Sequence, residues 1–551
     1  MNNWTGTPAE RHPETPSSSD MIITDYWDAQ LARGADCRAL SSYQSGEDTP
    51  VSFTYGELDA VVTRMGAGLA ALGVEKGSVV SCQLPNGWQM TALFLACARI
   101  GAVFNPLMPI FRERELRFML GHARSHLLVV PKLFRGFDYA SMAEGLRADL
   151  PELRHVLVIG GEGDNSFERQ LLDRALENNG DTQALFAERR PQADDIVQLL
   201  FTSGTTGEPK GVLHTSKTLL SNIIPYAERL RLGRQDIVFM ASPMAHQTGF
   251  LYGMLMPIYL GAAAVLQDVW DARTAVKIIA AERPTFTMAS TPFLADLIEL
   301  APGHRDALSS LRIFVSAGAP IPESLVEKAG NSLNAKIISA WGMTESGAST
   351  MTRPQDDPER AIYTDGVALP LVEVRVVDDA GIEAPAGSEG HLQVRGASLF
   401  VGYLKRPDLY SVDAQGWFAT GDLARMDAQG YIRITGRTKD VVIRGGENIP
   451  VVEVENLLYK HPAISAVALV GCPDERLGER VCAYVTLHDG YTNLRLDEAV
   501  TFLLEHNLSR NYLPEYLEVL PALPRTPSGK IQKFKLHERA ASIRIDPVKR
   551  R

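Results

Sequence analysis

Positive charge is in the minority in this sequence, and so is cysteine. Lysine and arginine number 55 against 66 aspartates and glutamates, a net charge of −11. A surface of that sign argues against nucleic acid or an anionic membrane as main partner, while leaving room for a local basic patch that receives phosphates. The five cysteines (Cys37, Cys82, Cys97, Cys472 and Cys482) have no C-x-x-C spacing and no nearby histidine pair. Odd in number and set mostly in apolar runs, they read as reduced core thiols, which argues against structural zinc and for a cytoplasmic protein. Long uninterrupted apolar runs are also scarce. "FLYGMLMPIYLGAAAVLQ", from Phe250 to Gln267, is uncharged but broken by Gly253, Pro257 and Gly261. It is expected to be a buried helix running into a strand, with no membrane span. The first residues, "MNNWTGTPAERHPETPSSSD", lack the apolar stretch of a secretory signal and are expected to form a disordered arm over 1–20. No repeat of 20–50 residues is visible.

What is present is enough chain for more than one core: 551 residues exceed the roughly 250–300 at which single cores stop growing. "TYGE" (Thr54 to Glu57) is a capping-box pattern, opening a helix whose apolar face includes Leu58, Val61, Met65, Leu69 and Leu72. "SVVSCQL", "AVFNPL", "HLLVVP", "HVLVIG", "IVQLLF" and "RIFVSAG" read as short strands, several separated by helical stretches such as "WQMTALFLACARIG". That alternation predicts an α/β fold of mainly parallel sheets covered by helices on both faces. After residue 365 the texture becomes strand-turn-strand, with "DAG", "DAQGW" and "DAQGY" as turns, which predicts a small β-rich subdomain. A further small α+β unit begins near Asp440. The expected layout is therefore an N-terminal body over 21–439 and a C-terminal domain over 440–551.

The densest chemical signal is "LLFTSGTTGEPKGVLHT", Leu199 to Thr215. A strand runs into a loop of glycines, hydroxyls and one lysine, a combination that turns backbone amides and side-chain donors toward phosphate oxygens. It is not a Walker A loop, because the G-x-x-x-x-G-K-[ST] spacing is missing and Pro209 precedes the lysine. Four more motifs follow in order: "SAWGMTE" (Ser339 to Glu345), "TGDLA" (Thr420 to Ala424), "GRTKD" (Gly436 to Asp440) and "PRTPSGK" (Pro524 to Lys530). With these five in register, the chain beyond residue 25 resembles the adenylate-forming superfamily of acyl-CoA synthetases, peptide-synthetase adenylation domains and luciferases.

The resemblance implies a carboxylate activated by ATP with loss of pyrophosphate, then a thiol attacking the acyl-adenylate with loss of AMP. It implies that Thr202, Ser203, Gly204, Thr205, Thr206, Gly207 and Lys210 grip the β- and γ-phosphates. Thr344 is expected on the α-phosphate, and Glu345 as the carboxylate for Mg²⁺, a cation that prefers hard oxygen ligands. Asp422 is expected to accept from the ribose hydroxyls, with Arg437 donating to the same sugar. The ammonium of Lys530 is expected between the carboxylate and the α-phosphate. Gly318, Ala319 and Pro320 would flank adenine, which lies against Trp341 beside Gly342 and Met343; a buried core tryptophan is the other reading of Trp341. Where the family often has arginine three residues after the catalytic lysine, Lys533 stands here.

"SPMAHQTGF" (Ser242 to Phe250) matches a pocket-wall segment, and His246 is expected there as a wall or gating residue. The segment has no aspartate to pair with an α-amino group, which disfavours an amino-acid substrate. Gly342 stands where acetate- and propionate-activating relatives carry tryptophan, so Gly342, with Gly318 and His246, is expected to border a deeper apolar slot. Asp440 is the expected hinge of a C-terminal domain that moves between the two steps. Arg444, Gly445 and Gly446, within "IRGGEN", are expected at the pantetheine tunnel. Several segments look especially close to bacterial cyclohexanecarboxylate- and medium-chain-fatty-acid–CoA ligases. The implied substrates are therefore a medium-chain, alicyclic or comparable apolar carboxylic acid, ATP and coenzyme A, with Mg²⁺, in a monomer or homodimer of fatty acid metabolism. Two alternatives stay open: an adenylating ligase with an amine acceptor, and a nucleotide-binding regulatory relative without catalysis.

Overall fold

The computed structural model describes residues 20–47, 49–173, 180–202, 209–318, 321, 323–438, 441–444, 447–474, 477–506, 508–526 and 529–543. The expected arm up to residue 19 lies outside them. The helix opened by "TYGE" runs Tyr55–Ala71. Thr54 Oγ1 accepts from the Glu57 N–H at 3.2 Å and the Glu57 carboxylate accepts from the Thr54 N–H at 2.8 Å, the reciprocal pair of a capping box. Leu58, Val61, Met65 and Leu69 are buried along one face of this helix, as their 3–4 residue spacing requires, and Leu72 packs partly buried against the same core.

Two large sheets form the body. The nine-stranded sheet contains the strands Ile237–Met240, Phe286–Ala289, Ile313–Ala317 and Lys336–Met343, each parallel to its neighbour in that order. Its two edges are antiparallel: Gly347–Met351 and Val367–Ala368 at one, Val51–Thr54 at the other. The seven-stranded sheet contains "IVQLLF" as Ile196–Thr202, which returns through the antiparallel strand Lys210–Thr215. Each sheet has apolar clusters on both faces. The main core lies between the sheets and holds Phe94, Phe104 and Phe250 in mutual ring contact at centroid separations of 5.1–6.2 Å. The outer face of the nine-stranded sheet is covered through Phe239, Leu294 and Phe314, that of the seven-stranded sheet through Val103, Met119 and Leu146.

The stretch Phe250–Gln267 resolves into a π-helical segment Gly249–Leu255, a short helix Met256–Leu260 and the buried strand Ala263–Gln267. No helix among the described residues is long and apolar enough to cross a membrane. The strand-turn-strand region is a four-stranded antiparallel sheet of Val372–Val377, Glu389–Gly396, Phe418–Met426 and Ile432–Arg437. From Val442 onward the chain builds a separate five-stranded sheet with helices Val451–Leu458, Leu496–Glu505 and Lys533–Ala540, and its two apolar clusters contain only residues of this region. Because four neighbouring strands of the nine-stranded sheet run parallel, their C-terminal ends share one edge. That edge carries the 242–250 segment, Ser290, Gly318 and Thr344, and in open α/β sheets it is the edge where ligands bind.

Candidate active site

Lys336–Met343 ends in the turn that carries Thr344 and Glu345. Tyr403 donates its hydroxyl to Glu345 Oε1 at 2.7 Å, and Lys210 Nζ stands 5.0 Å above the Tyr403 ring. Burial, reinforced by the Glu345 carboxylate, raises the Tyr403 phenol well above its usual range and keeps it a donor. Lys210 opens the strand that returns from the glycine-rich loop, and its register partner is Thr202. The Lys210 end of the loop thus stands beside the Tyr403–Glu345 pair, with Thr202 in register across from it. Ser203, Gly204, Thr205, Thr206 and Gly207 lie outside the described residues.

The Thr344–Glu345 turn is held from beneath by groups that no local motif announces. His214, four residues past Lys210, is buried; its Nε2–H donates to the Thr344 carbonyl at 2.8 Å, and Nδ1 faces the Thr218 hydroxyl at 3.0 Å. A carbonyl can only accept, so Nε2 bears the proton, and burial lowers the pKa to about 4, keeping the ring neutral. Asn222 Nδ2 donates to the carbonyls of Ser346 at 3.0 Å and Ala348 at 2.8 Å. Its Oδ1 accepts from the Tyr252 hydroxyl at 2.6 Å, whose oxygen in turn accepts from the Ala348 N–H at 2.8 Å. His214, Thr218, Asn222, Tyr252 and Ser346 lie in the 0–2% exposure range and Ala348 is also buried, while Thr344 is only partly covered.

The pair expected at the ribose forms across two strands. Asp422 and Arg437 are direct register partners, and Arg437 Nε stands 2.9 Å from Asp422 Oδ1. The indole N–H of Trp341 donates to Asp422 Oδ2 at 2.8 Å, and the ring packs with Val376, Leu392, Ala424 and Ile432. With 8% exposure and its N–H engaged, Trp341 has the environment of the buried-tryptophan reading, and it orients Asp422.

Gly342 and Gly318 differ sharply in what a side chain would meet. A Cβ on Gly342 would stand 2.2 Å from the Gly347 carbonyl oxygen and 2.7 Å from Ala348 Cα, both backbone of the adjacent antiparallel strand. The expectation that Gly342 leaves an apolar slot is therefore corrected: its missing side chain lets two strands approach, and no slot opens in the Cβ direction. Gly318 adopts φ +87°, and Lys530 Cε lies 3.8 Å from the place of its Cβ. Ala319 and Pro320 lie outside the described residues. His246 accepts the Thr248 N–H on Nδ1 at 3.2 Å; burial, then the nearby charge of Lys530, lowers its pKa to about 4.

Lys530 sits on an exposed tight turn, where Thr526 N–H donates to the Lys530 carbonyl at 2.7 Å and Lys530 N–H donates to Thr526 Oγ1 at 3.0 Å. Lys533 is tied elsewhere, 2.7 Å from Glu455 Oε1. Arg444 donates from Nε to the buried Glu515 at 2.8 Å, so its charge is spent inside the C-terminal domain. Asp440, Gly445 and Gly446 lie outside the described residues. The sequence reading thus missed His214, Asn222, Tyr252 and Tyr403, all buried polar groups at the turn; only the proximity of His214 to the loop motif was a signal.

The chain matches the family model described as AMP-binding enzyme over residues 27–404, and that described as AMP-binding enzyme C-terminal domain over 453–530. It is 36% identical over 521 residues to the medium-chain fatty-acid–CoA ligase of Escherichia coli (strain K12), covering 94% of this chain and 90% of that protein. The crystal structure of the anthranilate CoA ligase AuaEII in complex with anthranoyl-AMP superposes with a TM-score of 0.82 at 25% identity, covering 95% of this chain and 98% of that one. The amide bond synthetase McbA from Marinactinospora thermotolerans superposes with a TM-score of 0.79 at 27% identity, covering 94% and 99%.

Proposed function

We infer from its membership of the AMP-binding enzyme family, to which this chain belongs, that the protein is an ATP-dependent acid–CoA ligase working through an acyl-adenylate. The acid we propose is a medium-chain, alicyclic or comparably apolar carboxylate. In the first step a carboxylate oxygen attacks the α-phosphorus and the bond to pyrophosphate breaks; in the second the CoA sulfur attacks the acyl carbon and AMP leaves. Both steps gather anions, so the chain's task is positioning and charge neutralisation.

The reading assigns Lys210 and the loop from Thr202 to the β- and γ-phosphates, Thr344 to the α-phosphate, and Asp422 with Arg437 to the ribose. Lys530 brings its ammonium to the carboxylate and α-phosphate. His246, neutral at working pH, serves as pocket wall. Mg²⁺ would be held by Glu345: one carboxylate oxygen takes the Tyr403 hydroxyl, which leaves the other for a hard cation. Among the described residues no three acidic, histidine or cysteine side chains cluster as a metal cage, which suits a cation that leans on substrate phosphates. When bound, that ion supplies charge neutralisation on the phosphates. We further propose Asp440 as hinge, Gly445 and Gly446 beside the pantetheine path, a cytoplasmic location, and a monomer or homodimer.

The observation that supports the reading most is the approach of Lys530 to Gly318 and His246, since it joins the C-terminal turn to the sheet edge that carries Thr344. A panel of straight-chain C2 to C12 acids and cyclohexanecarboxylate, assayed for AMP release with CoA and with amines, tests both substrate and acceptor. We expect release that peaks at C6–C10 or cyclohexanecarboxylate and requires CoA. Release with an amine in place of CoA would assign amide synthesis, and a peak at acetate would overturn the apolar-pocket reading.

A further inference from the structure

The turn bearing Lys530 touches the nine-stranded sheet at two neighbouring strand ends. Ala289 and Ser316 are register partners, so Ser290 and Gly318 follow paired positions at the same edge. Lys530 lies against Gly318, and Gly529 lies against Ser290: a Cβ on Gly529 would stand 2.5 Å from Ser290 Oγ. The next neighbours of that point are Pro292 Cγ at 3.5 Å and Ser290 Cβ at 3.6 Å, both ordinary contact distances. One oxygen atom therefore closes the space that a side chain at 529 would occupy.

Ser290 stands at the N-cap of the helix Thr291–Leu300, where a serine hydroxyl ordinarily accepts a backbone N–H from the first turn. Its hydroxyl makes no such bond, and it has no hydrogen-bond partner among the described residues although it is buried. The neighbouring Thr291 hydroxyl is 3.2 Å from Ser316 Oγ, which ties the helix start to the strand leading to Gly318. That contact fixes the backbone beneath Ser290, and the unbonded hydroxyl faces Gly529.

We propose that Ser290 and Gly529 are positioning residues that form a steric register: the bare Cα of Gly529 nests on the Ser290 hydroxyl, and that depth of docking sets where Lys530 reaches over Gly318. This rests on the assignment of Lys530 to adenylation. Gly529 has two separable reasons to be glycine. Its φ of +84° favours glycine wherever the turn sits, whereas the Ser290 hydroxyl excludes a side chain only when the C-terminal domain is docked in this arrangement. The second reason acts on the first half-reaction alone.

A double-mutant cycle separates them. ATP–pyrophosphate exchange is measured for Gly529→Ala, Ser290→Ala and the double variant, alongside thioester formation from supplied acyl-adenylate and CoA. Overpacking predicts that Gly529→Ala slows exchange by roughly tenfold or more. Ser290→Ala is expected to cost less than about threefold, and adding it to Gly529→Ala is expected to restore exchange by roughly threefold or more. Thioester formation should stay within about twofold of wild type throughout, which also reports that the variants fold. A double variant no faster than Gly529→Ala, or a thioester step that falls with exchange, would overturn the proposal. Failure of the Lys530 assignment is distinguishable, because Lys530→Ala would then keep exchange while leaving the Ser290–Gly529 fit untouched.

Discussion

Asp422 and Lys530 serve the same nucleotide in this account, and they are held in opposite ways. Asp422 is 4% exposed, with one oxygen fixed by the Trp341 N–H and the other by Arg437. Glu345 is held similarly by Tyr403, on a turn secured from below by His214 and Asn222. Lys530 instead rides an exposed turn of a domain with its own cores and reaches the body edge through Gly318. On the proposed assignments, the groups that bind the nucleotide in both half-reactions are pre-organised by the body, and the charge needed for one is delivered from outside. Pre-organised donors and charges act without reorganising at the moment of reaction, so the body pays that cost in folding.

The strongest way to break the comparison is on the body side. Asp422→Ala leaves the Trp341 N–H and Arg437 without their shared acceptor. With Arg437 half exposed, we expect a stability loss of about 2 kcal/mol and a fall of roughly 100-fold or more in kcat/KM for ATP. Denaturant unfolding and steady-state kinetics check both, and both half-reactions should suffer. Gly342→Trp follows. It drives a side chain into the backbone of Gly347 and Ala348, so a loss of about 1–3 kcal/mol or more is expected, with activity lowered on every acid alike. A shift toward acetate in a stable variant would restore the pocket-depth role for Gly342. Tyr403→Phe removes one hydrogen bond to a carboxylate, worth about 1.5–3 kcal/mol, and should lower kcat/KM for ATP roughly tenfold with little change in chain-length preference.

The last effect is in pH dependence. His214 titrates at about 4 in the fold against 6.5 as its ordinary value. Between those pH values the unfolded chain binds the extra proton, so stability falls as pH drops through this window and is insensitive to this residue above it. Each pH unit costs at most about 1.4 kcal/mol per histidine. His214→Gln keeps a donor for the Thr344 carbonyl and should flatten the acid limb of the unfolding curve by about that slope. An unchanged limb would mean that His214 is not buried neutral.

What could be read from the sequence followed the same division. Strands, the capping box and the five motifs were legible because each is written within about ten residues, where periodicity and spacing act. Asp422 and Arg437, assigned to one sugar through the resemblance, are neighbours because their motifs lie on the two strands of one hairpin. Tyr403, His214, Asn222 and Ser290 were not legible, since each meets its partner across the fold: His214 is 130 positions from Thr344, and Tyr403 is 58 from Glu345. Gly342 shows the limit most clearly. A sequence reveals that a side chain is missing; the register with Gly347–Met351 decides whether pocket or backbone fills its place.

The division between a fixed body and a delivered charge is tested most directly by Lys530→Ala. Measured side by side, ATP–pyrophosphate exchange should fall roughly 100- to 1,000-fold, the cost of removing one charge-stabilising donor. Thioester formation from supplied acyl-adenylate and CoA should stay within about threefold of wild type, because that step needs no charge at the α-phosphate. Equal losses in the two half-reactions, or exchange that survives, would contradict the account.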